Sequence, residues 1–133
     1  MMVYLDTNCV IYFVEQVAEW APRVVARHER FWADDDRIVV GELTTAECLV
    51  GPFLTGDEVV EASFRAFFSD PEIRVLPISA SICERAARIR ATHRYELIDA
   101  LHLAAAAEHG CGLFLTNDAR LAGCTDIPVE VLS

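Results

Sequence analysis

Met1-Met2-Val3-Tyr4-Leu5-Asp6-Thr7-Asn8 opens the sequence with an apolar run that stops at a carboxylate, a hydroxyl and an amide. Val3 to Leu5 suits a buried β-strand, and Asp6 then falls where that strand meets solvent at its carboxyl end. In open α/β sheets that rim is where ligands bind. Any site to which Asp6 belongs must draw its other members from the same rim.

The whole chain bounds what such a site can be. Its 133 residues fit one domain, residues 1–133. Hydrophobic residues make up 53%, enough to fill a core, and charged residues 24%, an ordinary share for a soluble protein. The longest apolar runs, such as Leu103 to Ala107, fall far short of the roughly 18 residues of a membrane span. The start has no charged segment followed by a long apolar one. The expected location is the cytoplasm, with no membrane partner. Five cysteines without a C-x-x-C argue against a disulfide framework or a zinc ribbon. Net charge is −10, and all 11 basic residues are arginine. The lack of lysine excludes a Walker A loop, a Schiff-base enzyme and a lysine general base. The acidity speaks against a broad basic surface for nucleic acid. It leaves room for a metal-dependent nuclease, because divalent cations invert the field around a carboxylate cluster.

Strands and helices alternate along the sequence. A helix is expected from Asn8 to about Val17, and another, with Pro22 in its first turn, to Ala33. Ile38-Val39-Val40 reads as the second strand, and Leu43 to Val50 as a helix stopped by Gly51-Pro52. Asp57 to Phe68 has helical spacing, Ile73 to Leu76 is a third strand, and Ser79 or Ser81 caps a helix to about His93. Leu97 to His109 is the most apolar helix, closed by Gly110. Leu113-Phe114-Leu115 is a fourth strand ending in Thr116-Asn117-Asp118. A helical turn at Ala119 to Leu121 and a fifth strand at Val129-Glu130-Val131 follow. This alternation calls for a three-layer α/β/α fold around a mostly parallel sheet of four to five short strands. Wholly apolar strands agree, since parallel strands are buried on both faces.

Four acids stand where such a fold would gather them. Taken singly, Asp6 reads as a helix N-cap, and Thr44-Thr45-Ala46-Glu47 as a capping box. Asp118 reads as a turn or cap. Asp99 is harder to dismiss, because a carboxylate at the start of so apolar a helix should be paired or liganded. Together, Asp6 and Asp118 each close an apolar strand on the carboxyl rim. Glu47 lies in the helix leaving the second strand there, and Asp99 in the helix leading to the fourth. Like charges so close repel unless cations neutralise them. Oxygen ligands without a converging His/Cys set select Mg²⁺ or Mn²⁺ rather than zinc. Such a site can activate a water and stabilise a phosphoryl transition state.

These stretches resemble PIN-domain ribonucleases, and among them the VapC-type toxins of toxin–antitoxin pairs. The matching segments are Tyr4-Leu5-Asp6-Thr7-Asn8, Glu42-Leu43-Thr44-Thr45-Ala46-Glu47 with Gly51-Pro52, Ile98-Asp99-Ala100-Leu101-His102-Leu103-Ala104 and Leu113-Phe114-Leu115-Thr116-Asn117-Asp118. They cover nearly the whole chain in the family's order and spacing. The resemblance implies a PIN domain that cleaves single-stranded RNA with Mg²⁺ or Mn²⁺. It makes Asp6, Glu47, Asp99 and Asp118 the acidic cluster, Thr116 a hydroxyl hydrogen-bonded within it, and Asn8 a supporting residue. It also implies a homodimer held inactive by a VapB-type antitoxin inserted across the site. An all-acid pocket makes a basic plug the natural inhibitor.

Two other readings remain. One is a non-catalytic PIN-like module that binds RNA or protein. The other is an aspartate-nucleophile phosphatase, which normally wants a second acid where Asn8 stands. His102, three residues after Asp99, reads as a packed or capping histidine rather than a ligand. Glu96 reads as a helix-start charge. Arg23, Arg27 and Arg30, and likewise Arg85 and Arg88, read as solvated faces before an RNA track, with Arg120 closer to the acids.

Overall fold

The computed structural model describes residues 1–133. The chain runs β1 (Met2–Leu5), α1 (Thr7–Val14), α2 (Ala21–Ala33), β2 (Arg37–Gly41), α3 (Glu42–Thr55), α4 (Glu58–Ser69), β3 (Arg74–Leu76), α5 (Ala80–His93), α6 (Leu97–Glu108), β4 (Leu113–Thr116), a 3-10 helix (Ala119–Gly123) and β5 (Val129–Val131). The five strands form one sheet in the order β3-β2-β1-β4-β5, every pair parallel. The expected three-layer α/β/α architecture is the one observed.

Strand alternation explains the two cores. Val3, Leu5, Ile38, Val40 and Leu115 face one way and pack with Cys9, Val10, Val24, Cys48 and Phe64 of α1 to α4. Tyr4, Val39 and Phe114 face the other and pack with Ile82, Ala86 and Ile89 of α5 and Ala100, Leu103 and Ala104 of α6. Both faces are covered, so apolar residues are needed at every strand position. The small side chains of Ala100, Ala104, Ala105 and Ala106 make up much of the α6 face buried in this core.

After β1 the chain builds outward through β2 and β3, then returns to the other side of β1 through β4. The order therefore reverses between β1 and β4, and at such a switch point the connections diverge and leave a crevice. Asp6 and Asp118 follow the two strands that flank it.

Two boundaries depart from expectation. α3 does not stop at Gly51-Pro52 but continues to Thr55 and ends at Gly56, whose φ is 69°. Gly51 has no Cβ to clash with the Pro52 ring, so helical backbone is tolerated before that proline. α1 ends at Val14, short of Val17, and Gln16 takes a φ of 54° in the turn that follows. No helix is long and apolar enough to cross a membrane. All five cysteines are free, and only Cys83 is exposed.

Candidate metal centre

Asp6 leaves β1 in extended backbone and starts α1, its Oδ1 accepting the Thr7 N–H at 2.9 Å. The cap reading is therefore correct, and it uses only one oxygen. Oδ2 accepts a 2.6 Å hydrogen bond from Thr116 Oγ1, at the end of β4. The register pairs Leu5 with Leu115, which sets Asp6 beside Thr116. Thr116 Oγ1 also accepts the Asp118 N–H at 3.0 Å, tying the loop after β4 to the same point. Asp6 is 6% exposed. Burial pushes its carboxyl above the ordinary carboxylate range, and the nearby charge of Glu47 adds to this against opposing help from His102, Thr116 and Thr7.

Asp99 lies in the first turn of α6, whose N-cap position, Glu96, supplies no side-chain cap. Burial raises its carboxyl, and the charges of Asp6 and Asp118 raise it further, with Glu96 a lesser contributor. Asp118 caps the 3-10 helix by accepting the Arg120 N–H. The Arg120 guanidinium bonds both its oxygens and holds its carboxyl below the usual range. Arg120 Nη2 also lies 3.8 Å from Asp99 Oδ2. Arg120 thus lies against the acids while its side chain stays largely exposed.

Glu47 is not part of a capping box. Gly41 is the residue before α3, so Thr44 and Glu47 both lie within the helix. Glu47 Oε1 instead accepts Thr7 Oγ1 at 2.7 Å and His102 Nε2 at 2.5 Å. Burial would raise its carboxyl, but the hydrogen bonds from His102 and Thr7 outweigh it and leave it below its ordinary value. His102, 1% exposed, is packed as expected, yet it is hydrogen-bonded directly to one of the four acids. Its sequence neighbour Asp99 was the only cue, whereas its partners Tyr4 and Glu47 are 98 and 55 positions away.

The fold therefore sets all four acids and Thr116 on the carboxyl rim, with Glu47 near enough to raise Asp6, and Asp6 and Asp118 near enough to raise Asp99, although the tightest set of ligand atoms in the chain, within 4.8 Å of one another, is His93, Cys124 and Asp126. Asn8 stands at the edge, donating to Asn117 Oδ1 at 3.3 Å and to none of the carboxylates. Within the arginine stripes, Arg27 forms a bidentate pair with Glu130, Arg85 pairs with Asp126 and Glu108, and Arg88 pairs with Glu84, while Arg23 lies over the Trp20 ring. The largest surface groove, about 540 Å³, runs along α5 past Arg85 and Asp126. None of the four acids lines it, so charge and not cavity size marks the centre. The donor set there is all oxygen, and the Asp6 and Asp99 carboxyls are held up by burial first and by neighbouring carboxylates second. A hard divalent cation fits that set.

The PIN domain family matches residues 3–124. No curated protein matches in sequence. Among solved structures, a chain of VapBC2 from Rickettsia felis bound to a promoter DNA fragment superposes with a TM-score of 0.83 at 16% identity, covering 100% of both chains. A chain of DNA-bound VapBC from Salmonella typhimurium gives 0.78 at 20% identity over 98% of each. VapC20 from Mycobacterium tuberculosis, described as a sarcin–ricin loop cleaving toxin, gives 0.71 at 16% identity over 95% of this chain and 98% of that one. At these identities the likeness is one of fold.

Proposed function

The chain belongs to the PIN-domain family, and on that premise we propose that it is a divalent-metal-dependent endoribonuclease, the toxin of a toxin–antitoxin pair, folded as one domain over residues 1–133. The observation that carries this reading is the convergence of Asp6, Glu47, Asp99 and Asp118 at the β1/β4 switch, with Asp6 and Asp99 both pushed up by burial and neighbouring charge. Asp6 and Asp99 would hold the ion directly, and Glu47 and Asp118 would serve as ligands or as acceptors one hydrogen bond away. Mg²⁺ or Mn²⁺ suits an all-oxygen set better than zinc. Such an ion, when bound, lowers the pKa of a water and offsets charge developing on the phosphoryl oxygens.

The chain's own residues supply position. The Thr7 N–H, at the start of α1, and the Thr116 hydroxyl, at the end of β4, fix the two Asp6 oxygens. Thr116 also anchors the backbone that presents Asp118. A water would attack a phosphodiester phosphorus in line with its leaving oxygen. Single-stranded RNA is the proposed substrate, and a structure of the same fold is described as a sarcin–ricin loop cleaving toxin. A VapB-type antitoxin is the proposed partner, because several chains of this fold come from VapBC complexes. Net charge −10 favours a basic inhibitory segment, and Arg120 on Asp118 illustrates how a guanidinium sits on these acids. A cytoplasmic homodimer completes the reading.

The test is to purify the protein free of any partner and incubate it with single-stranded RNA, with and without Mn²⁺ or Mg²⁺, beside Asp6→Asn and Asp99→Asn. Metal-dependent cutting lost in both folded variants is the expected result. Cutting that survives the substitutions, or needs no metal, sinks the assignment. Binding without cutting points to a non-catalytic module.

A further inference from the structure

Behind the four acids lies a buried polar chain that neither the core nor an ordinary cap requires. Tyr4 Oη sits 2.7 Å from His102 Nδ1, and His102 Nε2 sits 2.5 Å from Glu47 Oε1. Thr7 Oγ1 donates to the same Glu47 oxygen and lies 3.3 Å from Thr44 Oγ1. Tyr4 and Thr44 are fully buried, and Thr7 and His102 nearly so. Buried polar groups persist only where every partner is in place, and a fully paired network rigidifies what it holds.

The direction of the chain is fixed by its end. A carboxylate only accepts, so His102 Nε2 carries the proton and donates to Glu47. That nitrogen then has no lone pair for a cation, which removes His102 itself as a ligand. The far nitrogen is held by the Tyr4 hydroxyl. Room for that hydroxyl exists because position 41 is glycine: a Cβ there would stand 2.2 Å from Tyr4 Oη. The Tyr4 ring is itself locked by stacking on Phe114 at 5.3 Å. Both donors converge on Oε1, and no protein group hydrogen-bonds Oε2.

We propose that His102, braced by Tyr4, is the positioning residue for Glu47. It turns the carboxylate so that Oε2 alone is presented to a Mg²⁺ or Mn²⁺ ion. Glutamate has three rotatable bonds, and without the clamp the side chain is free to swing away from Asp6. This inference rests on the reading that the four acids hold a divalent ion. Partners of this kind, one bond behind a ligand, typically change metal affinity or activity by about 10- to 100-fold when lost.

The experiment compares wild type with His102→Leu, His102→Gln and Tyr4→Phe as full-length proteins. Mn²⁺ affinity is measured by calorimetric titration without RNA, folding by thermal denaturation, and RNA cleavage as kcat and KM. His102→Leu is expected to weaken Mn²⁺ binding about tenfold or more and to lower kcat with little change in KM for RNA. His102→Gln, which keeps an N–H near the Nε2 position, is expected to recover most of both. Tyr4→Phe, which removes one oxygen and keeps the stacked ring, is expected to fall between. A folded His102→Leu protein with wild-type Mn²⁺ affinity overturns the proposal, as does a glutamine variant as defective as leucine. If His102→Leu does not fold, an unchanged Mn²⁺ affinity in Tyr4→Phe overturns it, and a weakened one supports it. A wild type that binds Mn²⁺ and leaves RNA intact refutes the nuclease reading, and the Mn²⁺ comparison still decides the clamp. A wild type that binds no Mn²⁺ overturns both.

Discussion

Arg120 grips Asp118 through two nitrogens, Nε at 3.0 Å from Oδ1 and Nη2 at 2.5 Å from Oδ2. The chain thus brings its own cation to the rim, and the same Nη2 lies near Asp99. A divalent ion using those carboxylates has to compete with the guanidinium. Arg120→Ala is therefore expected to tighten Mn²⁺ binding modestly, by about two- to fivefold, since exposed ion pairs contribute little. Calorimetric titration at low and high salt checks this, and weaker binding in the variant would show that Arg120 assists rather than competes.

Asp6 predicts a pH dependence for the cation-free protein. Its carboxyl is raised from the ordinary 3.8, so the folded state holds that proton more tightly than the unfolded chain. The resulting stabilisation is complete below 3.8 and is lost as pH rises through the raised value. Asp99 acts in the same sense. At neutral pH the unfolded chain releases both protons freely, so each raised group works against folding. Asp6→Asn keeps an acceptor for the helix start and removes the charge, and is expected to stabilise the cation-free fold by about 1–2 kcal/mol. Melting in EDTA at pH 7 and pH 4 measures it. A gain that fails to shrink at the lower pH would count against the electrostatic cause.

Divalent cations should have the opposite effect to EDTA. A ligand that binds only the native state at a hundredfold excess over its Kd adds about 2.7 kcal/mol. Mn²⁺ is expected to raise the Tm of wild type and to leave that of Asp99→Asn nearly unmoved. An equal rise in both would place the ion elsewhere.

Gly41 and Tyr4 should be coupled. Gly41 has ordinary extended backbone, φ −93°, so the cost of a side chain there comes mainly from Tyr4 Oη at 2.2 Å, with the ring Cζ behind it at 3.3 Å. Gly41→Ala is expected to destabilise by about 1–3 kcal/mol, and adding Tyr4→Phe should recover much of that. A denaturant double-mutant cycle gives the coupling, and simple additivity would refute it.

His28 predicts an acid weakness away from the centre. It packs against Phe13 at 4.7 Å and Trp32 at 5.6 Å, and neither ring nitrogen has a partner. Burial lowers its pKa from 6.5 to about 4. The neutral ring is tolerated in the fold, so its contribution is intact above 6.5 and is lost as pH falls toward 4. His28→Phe is expected to gain about 2 kcal/mol on wild type at pH 5 relative to pH 8. Stability curves at the two pH values decide the matter, and an equal effect at both removes the explanation.

Much of this was legible in sequence because it depends on local pattern. Short apolar strands separated by helical spacing imply a parallel sheet, and acids placed just after strands imply the carboxyl rim. The misreadings arose where local signals carry two meanings. Thr44 and Glu47 have the spacing of a capping box, but Gly41 precedes the helix and Glu47 turns to Thr7 and His102 instead. Gly51-Pro52 has the form of a stop, but glycine accepts helical backbone before proline, and the left-handed turn comes at Gly56. Tyr4 and His102 were not legible as a pair at all. Each looks like a core residue on its own element, and only the packing of α6 on the sheet joins them.

Thr116 reaches Asp6 across 110 positions of sequence. Synthesis delivers β1 first, although it is the middle strand of the finished sheet, and it lacks one neighbour until β4 has emerged from the ribosome. Before then the nascent chain carries Asp6 without Thr116 to hold it and without Asp118 on the opposite side of the crevice. A fragment cut ahead of β4 retains Asp6, Glu47 and Asp99 but lacks Thr116 and Asp118, so the proposed centre is incomplete until β4 and the loop after it have emerged.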